Sequence, residues 1–191
     1  MILSIVAYGD PVLKKLCEEI DPGYPNLQEL IENMVETMTN ANGVGLAAPQ
    51  VGVPIRLFLV DASPLAEEEK NESLRDFKRV FINAEMLNEE GMEWKFTEGC
   101  LSIPKVREEI VRKPYIHLRY YDEEFCQHIE RFSGIEARII QHEYDHIEGI
   151  LFVDRLSPLK KRLLKRKLTD ISKGQIEVAY KMRFPLMKRK Q

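Results

Sequence analysis

An α+β fold, with strands and helices in separate stretches of the chain, is what this 191-residue sequence predicts. Residues 26–40 place Leu27, Leu30, Ile31, Met34, Val35 and Met38 at helical spacing, an amphipathic helix with one buried stripe. Residues 80–132 break into short alternating runs bounded by Gly, Pro and charged turns. Residues 133–148 open on Ser133-Gly134-Ile135-Glu136, a capping-box pattern, and close on Gly149. The length suits one compact domain, 1–191, and an apolar share of 44% is ordinary for a soluble chain.

Taken in order, the first helix should stop at Asn42-Gly43, and residues 43–52 read as an irregular loop rich in Gly and Ala. Residues 55–60 form a short buried strand, and 63–76, polar and aperiodic, an exposed loop. Strands at 80–83 and 93–96 flank a turn at Glu89-Glu90-Gly91. Two more, 106–111 and 115–121, are separated by Lys113-Pro114, which cannot continue a ladder. Residues 126–132 make another. Ser157-Pro158 opens a last helix, Ser as cap and Pro in the first turn. Leu159, Leu163 and Leu164 are its expected buried side, with Lys160, Lys161, Arg162, Lys165, Arg166 and Lys167 in water. Residues 175–180 read as a terminal strand.

The first residues, Met1-Ile2-Leu3-Ser4-Ile5-Val6, lack a positive n-region and make a poor signal peptide, and no apolar run reaches the length of a membrane span. Three cysteines, Cys17, Cys100 and Cys126, are too few for a disulfide framework and fit a reducing, cytoplasmic setting. Charge is unevenly spread: residues 155–191 hold 13 Lys+Arg against 2 Asp+Glu, leaving 15 against 29 in the rest. The basic end admits two readings, contact with an anionic partner such as RNA and a solvated helix face.

The chemistry is concentrated in Gln141-His142-Glu143-Tyr144-Asp145-His146. His142 and His146, four apart on a helix, share a face and can hold one metal ion. Glu143 beside them can carry a proton for a water on that ion. A catalytic site usually has three protein ligands and an open fourth position. No histidine lies downstream, and the nearest carboxylates, Glu148 and Asp154, sit in no motif. Upstream, Cys100 in Glu98-Gly99-Cys100-Leu101-Ser102 offers a thiolate, with Gly99 allowing close backbone approach. Cys17 and Cys126 are expected to be small core residues. The loop Gly43-Val44-Gly45-Leu46-Ala47-Ala48-Pro49-Gln50 has no nucleotide-binding spacing. Its backbone groups and the Gln50 amide could dock an extended peptide and donate to an oxyanion. For Asp145 two readings stand, one that anchors the helix or orients a metal ligand and one as an exposed carboxylate. Tyr144 either packs or faces solvent.

Together, Gly43-x-Gly45-Leu46-Ala47-Ala48-x-Gln50, Glu98-Gly99-Cys100-Leu101-Ser102 and Gln141-His142-Glu143-x-Asp145-His146 resemble, in order and spacing, the three motifs of the peptide deformylases. The resemblance runs from Pro11-Val12-Leu13 to the helix after Pro158. It implies antiparallel sheets packed around a central metal-binding helix, with a C-terminal helix. It implies removal of the formyl group from the N-terminal methionine of nascent polypeptides. Cys100, His142 and His146 would hold the metal, usually Fe²⁺, replaceable by Ni²⁺, Co²⁺ or Zn²⁺. Glu143 would be the general acid/base, and Gln50 with the Leu101 amide would stabilise the oxyanion. Val44 and Gly45 would pair with the substrate backbone, with Glu98 and Gly99 also beside it. Some members dock at the ribosome through a C-terminal helix, and residues 157–191 resemble that element. Neither a membrane nor a specific DNA sequence is an expected partner. Two rivals remain: a His-Glu-x-x-His metallopeptidase with its third ligand beyond His146, and a structural zinc site in an RNA-associated protein, which would need a fourth ligand from His117, His128, Cys17 or Cys126.

Overall fold

The computed structural model of the protein describes residues 1–187, so the last four residues of the basic tail lie outside the described residues. Among the described residues, nine strands and three α-helices make a mixed fold with antiparallel sheets and a C-terminal helix. The principal sheet has five strands in the order β2 (Gly45–Ala47), β3 (Leu57–Asp61), β4 (Lys78–Glu90), β7 (Tyr115–Tyr121) and β8 (Gln127–Ser133), all antiparallel. The alternation of β3 explains its place in the middle of the molecule. Leu57 and Leu59 join a core with Ile31, Met34 and Met38 of α1 (Leu27–Asn40), whereas Phe58 and Val60 join a second core with Ile135, Ile139 and Ile140 of α2 (Gly134–Ile147). The sheet is thus filled on both faces, with Phe58 and Phe81 stacked at 4.7 Å on the α2 side.

Helix α1 ends as the sequence predicts, by a Schellman closure: Gly43 N–H bonds Met38 C=O at 2.9 Å and Asn42 N–H bonds Thr39 C=O at 3.0 Å. Asn42, not Gly43, takes the left-handed conformation (φ 52°). Its stripe differs at one place, Val35 being exposed. Residues 43–52 are not wholly irregular. They contain β2, paired to β3 on one side only and therefore an edge strand, and a 3-10 turn at Ala48–Val51. Residues 63–76 form two 3-10 turns whose Ala66 and Leu74 are buried, so this loop is pinned to the core.

The strands flanking Gly91 are not a hairpin. β4 runs thirteen residues and pairs with β3 and β7, while β5 (Trp94–Cys100) turns away to pair with β6 (Ile103–Arg112) in a separate sheet. That departure carries Cys100 to the far end of β5, beside α2.

Helix α2 follows β8 without a loop. Ser133, still extended, is its N-cap but makes no side-chain cap bond, so the capping-box expectation places the helix correctly and its device wrongly. Gly134 turns the corner with a φ of 58° that disfavours a side chain. Eleven of the fourteen α2 residues are buried, because the five-stranded sheet, the β5–β6 hairpin and the 3-10 turn at Phe152–Arg155 enclose it.

Helix α3 (Pro158–Ser172) is capped as expected, Ser157 Oγ accepting from Lys160 N–H. Its apolar face is corrected: Leu159 and Leu163 are exposed, and Leu168 and Ile171 nearer the C-terminus are buried against Val6, Ile103 and Phe152. Of the three leucines expected inside, only Leu164 packs on this core, and it is half-buried. Residues 175–180 form no strand; the chain instead returns as β9 (Met182–Arg183), parallel to β1 (Ile5–Val6). Among the described residues no helix is long and apolar enough to cross a membrane.

Candidate metal centre

The fold brings three distant side chains to one point. Cys100 Sγ and one ring nitrogen each from His142 and His146 lie within 4.8 Å of one another. Cys100 Sγ is 3.3 Å from His146 Nε2. His142 and His146 occupy one face of α2, a turn apart, their rings crossing at 5.2 Å. The set of one sulfur and two imidazoles suits a borderline divalent ion and leaves a fourth coordination position for water.

A buried ionic cluster supports His142. Its Nδ1 lies 2.9 Å from Glu98 Oε2, which directs Nε2 toward Cys100. Glu98 is gripped in turn by Arg112, Nε to Oε1 at 2.7 Å and a second guanidinium nitrogen to Oε2 at 3.0 Å, and by Arg138 at 3.2 Å. Arg112 also donates to Asp145 Oδ2 at 2.8 Å, and Arg155 Nε donates to the same oxygen at 2.6 Å. Burial works to raise the Glu98 carboxyl, but Arg112 and His142 outweigh it and hold it well below the usual carboxylate range. Burial likewise opposes charge on His142, yet the neighbouring Cys100 sulfur and Glu98 carboxylate raise it well above 6.5. Burial and then His142 push His146 the other way.

Glu143 completes the site. Burial pushes its carboxyl up to about 7. Its Oε2 is buried with no hydrogen-bond partner among the described residues, and so is His146 Nδ1. The carboxylate lies against the backbone of β2: a Cβ on Gly45 would be 2.3 Å from Glu143 Oε1. The close approach therefore belongs to Gly45 and not to Gly99, where a Cβ would meet nothing nearer than 3.5 Å.

Gln50, fully buried in the 3-10 turn after β2, is oriented by Ala47 N–H, which donates to its Oε1 at 2.8 Å. Its Nε2 consequently faces Cys100 Sγ (3.5 Å) and Ser102 Oγ (3.3 Å). Val44, Gly45, Gln50, Cys100, Leu101, His142 and Glu143 all line one cavity of about 930 Å³, whose apolar wall includes Phe96, Ile135 and Ile139. Glu98 and Gly99 line it too, although the carboxylate of Glu98 is committed to Arg112, Arg138 and His142.

Asp145 is buried between Arg112 and Arg155, which decides its two readings in favour of the anchoring one. Tyr144 is half-buried, its hydroxyl accepting from Met86 N–H at 3.3 Å. Cys17 is buried as expected and Cys126 is exposed, against expectation. Asp154 and Glu148 are engaged elsewhere, by Lys14 and Arg56. Sequence reasoning missed Arg112, Arg138 and Tyr180. Arg112 had a signal: it falls on the inward face of β6 with Val106 and Ile110, where an arginine needs a buried anion.

These features agree with the relatives of the chain. The family model described as Polypeptide deformylase matches residues 2–162. The peptide deformylase of Christiangramia forsetii is 59% identical, covering 99% of each chain. That of Flavobacterium psychrophilum is 56% identical over 99% of this chain and all of its own. Among solved structures, a peptide deformylase from Legionella pneumophila superposes with a TM-score of 0.79 at 35% identity, covering 92% of this chain and 98% of its own. The Thermotoga maritima enzyme gives 0.73 at 37% identity, covering 83% of this chain and 99% of its own. On the match to its family model and the identity of its relatives along nearly its whole length, the chain belongs to the peptide deformylase family.

Proposed function

We propose that this protein hydrolyses the N-formyl group from the terminal methionine of newly made polypeptides, releasing formate. The observation that carries the reading is the convergence of Cys100, His142 and His146 beside the buried Glu143, whose Oε2 has no hydrogen-bond partner among the described residues. Those three residues would hold one divalent ion, Fe²⁺ by family resemblance, between the end of β5 and a central helix, α2. When bound, the ion would supply Lewis acidity, lowering the pKa of a water toward about 7, as zinc does in well-characterised sites.

The chain's own residues supply the rest. Glu143 takes a proton from the attacking water and returns it to the departing amine nitrogen. A carboxyl raised to about 7 by burial can do both near neutral pH. Gln50 Nε2 and the Leu101 N–H would donate to the carbonyl oxygen as it becomes negative, each such donor being worth about 3 kcal/mol in the transition state. β2 is an edge strand, so Val44 and Gly45 can add the peptide as a further extended strand. Phe96, Ile135 and Ile139 make an apolar berth for the methionine side chain. Glu98 acts by fixing the ring of His142, and Gly99 borders the groove.

The whole chain, 1–191, would be one catalytic domain with a basic helix and tail at 157–191. The exposed lysines of α3, with Leu159 and Leu163 between them, fit a ribosomal docking surface in the cytoplasm. The metallopeptidase rival loses its third ligand, since Glu148 and Asp154 are tied to Arg56 and Lys14. Formate release from a formyl-Met peptide by anaerobically purified protein, with metal analysis, tests the reading. Glu143→Gln should keep the metal and lose turnover, whereas Cys100→Ser should lose the metal. An active Glu143→Gln protein would refute the assignment.

A further inference from the structure

The two ends of the chain meet on the turn after Cys100. Tyr8 N–H donates to Ser102 C=O at 2.8 Å, and the Tyr180 hydroxyl donates to Leu101 C=O at 2.8 Å. The segment bearing Tyr180 is anchored on both sides. Ile5 N–H bonds Lys181 C=O and Ala7 N–H bonds Arg183 C=O, each at 2.9 Å, and Leu186 N–H bonds Ser172 C=O at 2.9 Å. Met182 and Phe184 pack on the core of Val6 and Ile171. Between α3 and these anchors, Glu177, Val178, Ala179 and Tyr180 line the same cavity as Val44 and Cys100. All four lie beyond residue 162, where the match to the family model ends, although the relatives align along nearly the whole chain.

We propose that residues 177–180 form a wall of the peptide groove, and that Tyr180 is a positioning residue whose hydroxyl steadies the Cys100–Leu101 turn. The inference rests on the deformylase reading of the site. Leu101 carries two jobs on either side of one Cα. On the deformylase reading its N–H would donate to the reacting oxygen, and its C=O is held by Tyr180. Restraining the carbonyl restrains the backbone torsions of Leu101, and with them the direction of the N–H and the placing of the preceding sulfur. A donor used chiefly in the transition state affects kcat, whereas a groove wall affects KM.

The test uses nickel-loaded full-length protein and a formyl-Met tripeptide. Formate release by the wild type establishes the activity; its absence would sink that reading, leaving Tyr180 to be judged by exchange. Tyr180→Phe should lower kcat roughly fivefold, the worth of one neutral hydrogen bond, with KM unchanged. In metal-free protein the same variant should speed amide hydrogen exchange in residues 100–103 and nowhere else. Ala179→Trp, at an exposed wall position, should raise KM several-fold and leave kcat alone. Unchanged exchange at 100–103, or faster exchange throughout the chain, would overturn the positioning role, as would an unchanged kcat. An unchanged KM in Ala179→Trp would overturn the wall.

Discussion

Gly45→Ala places a methyl group where the proposed general base already is. The new Cβ would stand 2.3 Å from Glu143 Oε1, 2.7 Å from Cδ and 2.8 Å from Cγ, against a practical floor of 3.0 Å. The carboxylate must therefore retreat by about 0.7 Å at the least. It cannot do so by moving its helix, since α2 is buried on nearly every face and its neighbours Ile140 and Ile147 are fully buried. The displacement falls on the side chain alone. Misplacing a catalytic group by about 1 Å can cost about a hundredfold in rate, so a loss between about tenfold and a hundredfold in kcat is expected. The metal ligands are not among the atoms nearest the new Cβ, so metal content should match wild type. Gly43→Ala is the control: its Cβ would meet Leu101 Cδ1 at 2.8 Å, the far end of a flexible side chain that can turn aside. The assay is steady-state formate release at saturating substrate, normalised to bound metal. A Gly45→Ala protein with full metal and kcat within about threefold of wild type would show that Glu143 does not act from this position.

Arg112→Leu should cost about 3–5 kcal/mol in urea unfolding at pH 7, because Glu98 and Asp145 lose a shared guanidinium while buried. Glu98 has a lowered folded-state pKa, so its contribution is full above the ordinary value of 4.5 and is lost as pH falls through the native value. The deficit of Arg112→Leu should accordingly shrink progressively below pH 4.5, and an equal deficit at pH 7 and pH 3 would refute the assignment. Alkylation with iodoacetamide at pH 8, mapped by mass spectrometry, should mark exposed Cys126 first and Cys100 only after metal removal. Cys17, whose thiol burial pushes up to about 11, should react only on unfolding. Iron-loaded protein should lose activity in air through oxidation at Cys100 while nickel-loaded protein keeps it; an iron form stable for days in aerated buffer would contradict this.

The site was more legible than the fold around it. The local pattern carried His142, Glu143 and His146, because a four-residue spacing on a helix is a geometric statement. Cys100 and Gln50 needed the three motifs jointly, since neither residue alone says what faces it. What composition and spacing could not supply was pairing across long separations. Nothing marks Arg112, among 28 Lys+Arg, as the partner of Glu98, and nothing marks Tyr180 as the partner of Leu101, 79 residues away. The exposed Leu159 and Leu163 were misplaced for a related reason. Helical periodicity identifies a stripe, but only the return of β9 beside β1 fixes where α3 touches the body.

The buried cluster around Glu98 is better understood through catalysis than through stability. Two carboxylates and three arginines meet beneath α2, and such pairs commonly gain little over well-packed apolar side chains of the same volume. An apolar substitute would pack, but it could not accept from His142 Nδ1. With that hydrogen bond absent, the imidazole could present either nitrogen and either ring orientation to the sulfur of Cys100. The same physics bears on Glu143, whose Oε2 has no donor among the described residues. A second arginine there would lower the carboxyl as Arg112 lowers Glu98, and the group would then hold no proton near neutral pH. Two glutamates 45 residues apart in sequence, one within α2 and one packed beside it, thus have opposite shifts because one is surrounded by guanidinium groups and the other by backbone and apolar walls. Moving an arginine from the first environment to the second would disable both the ligand and the base.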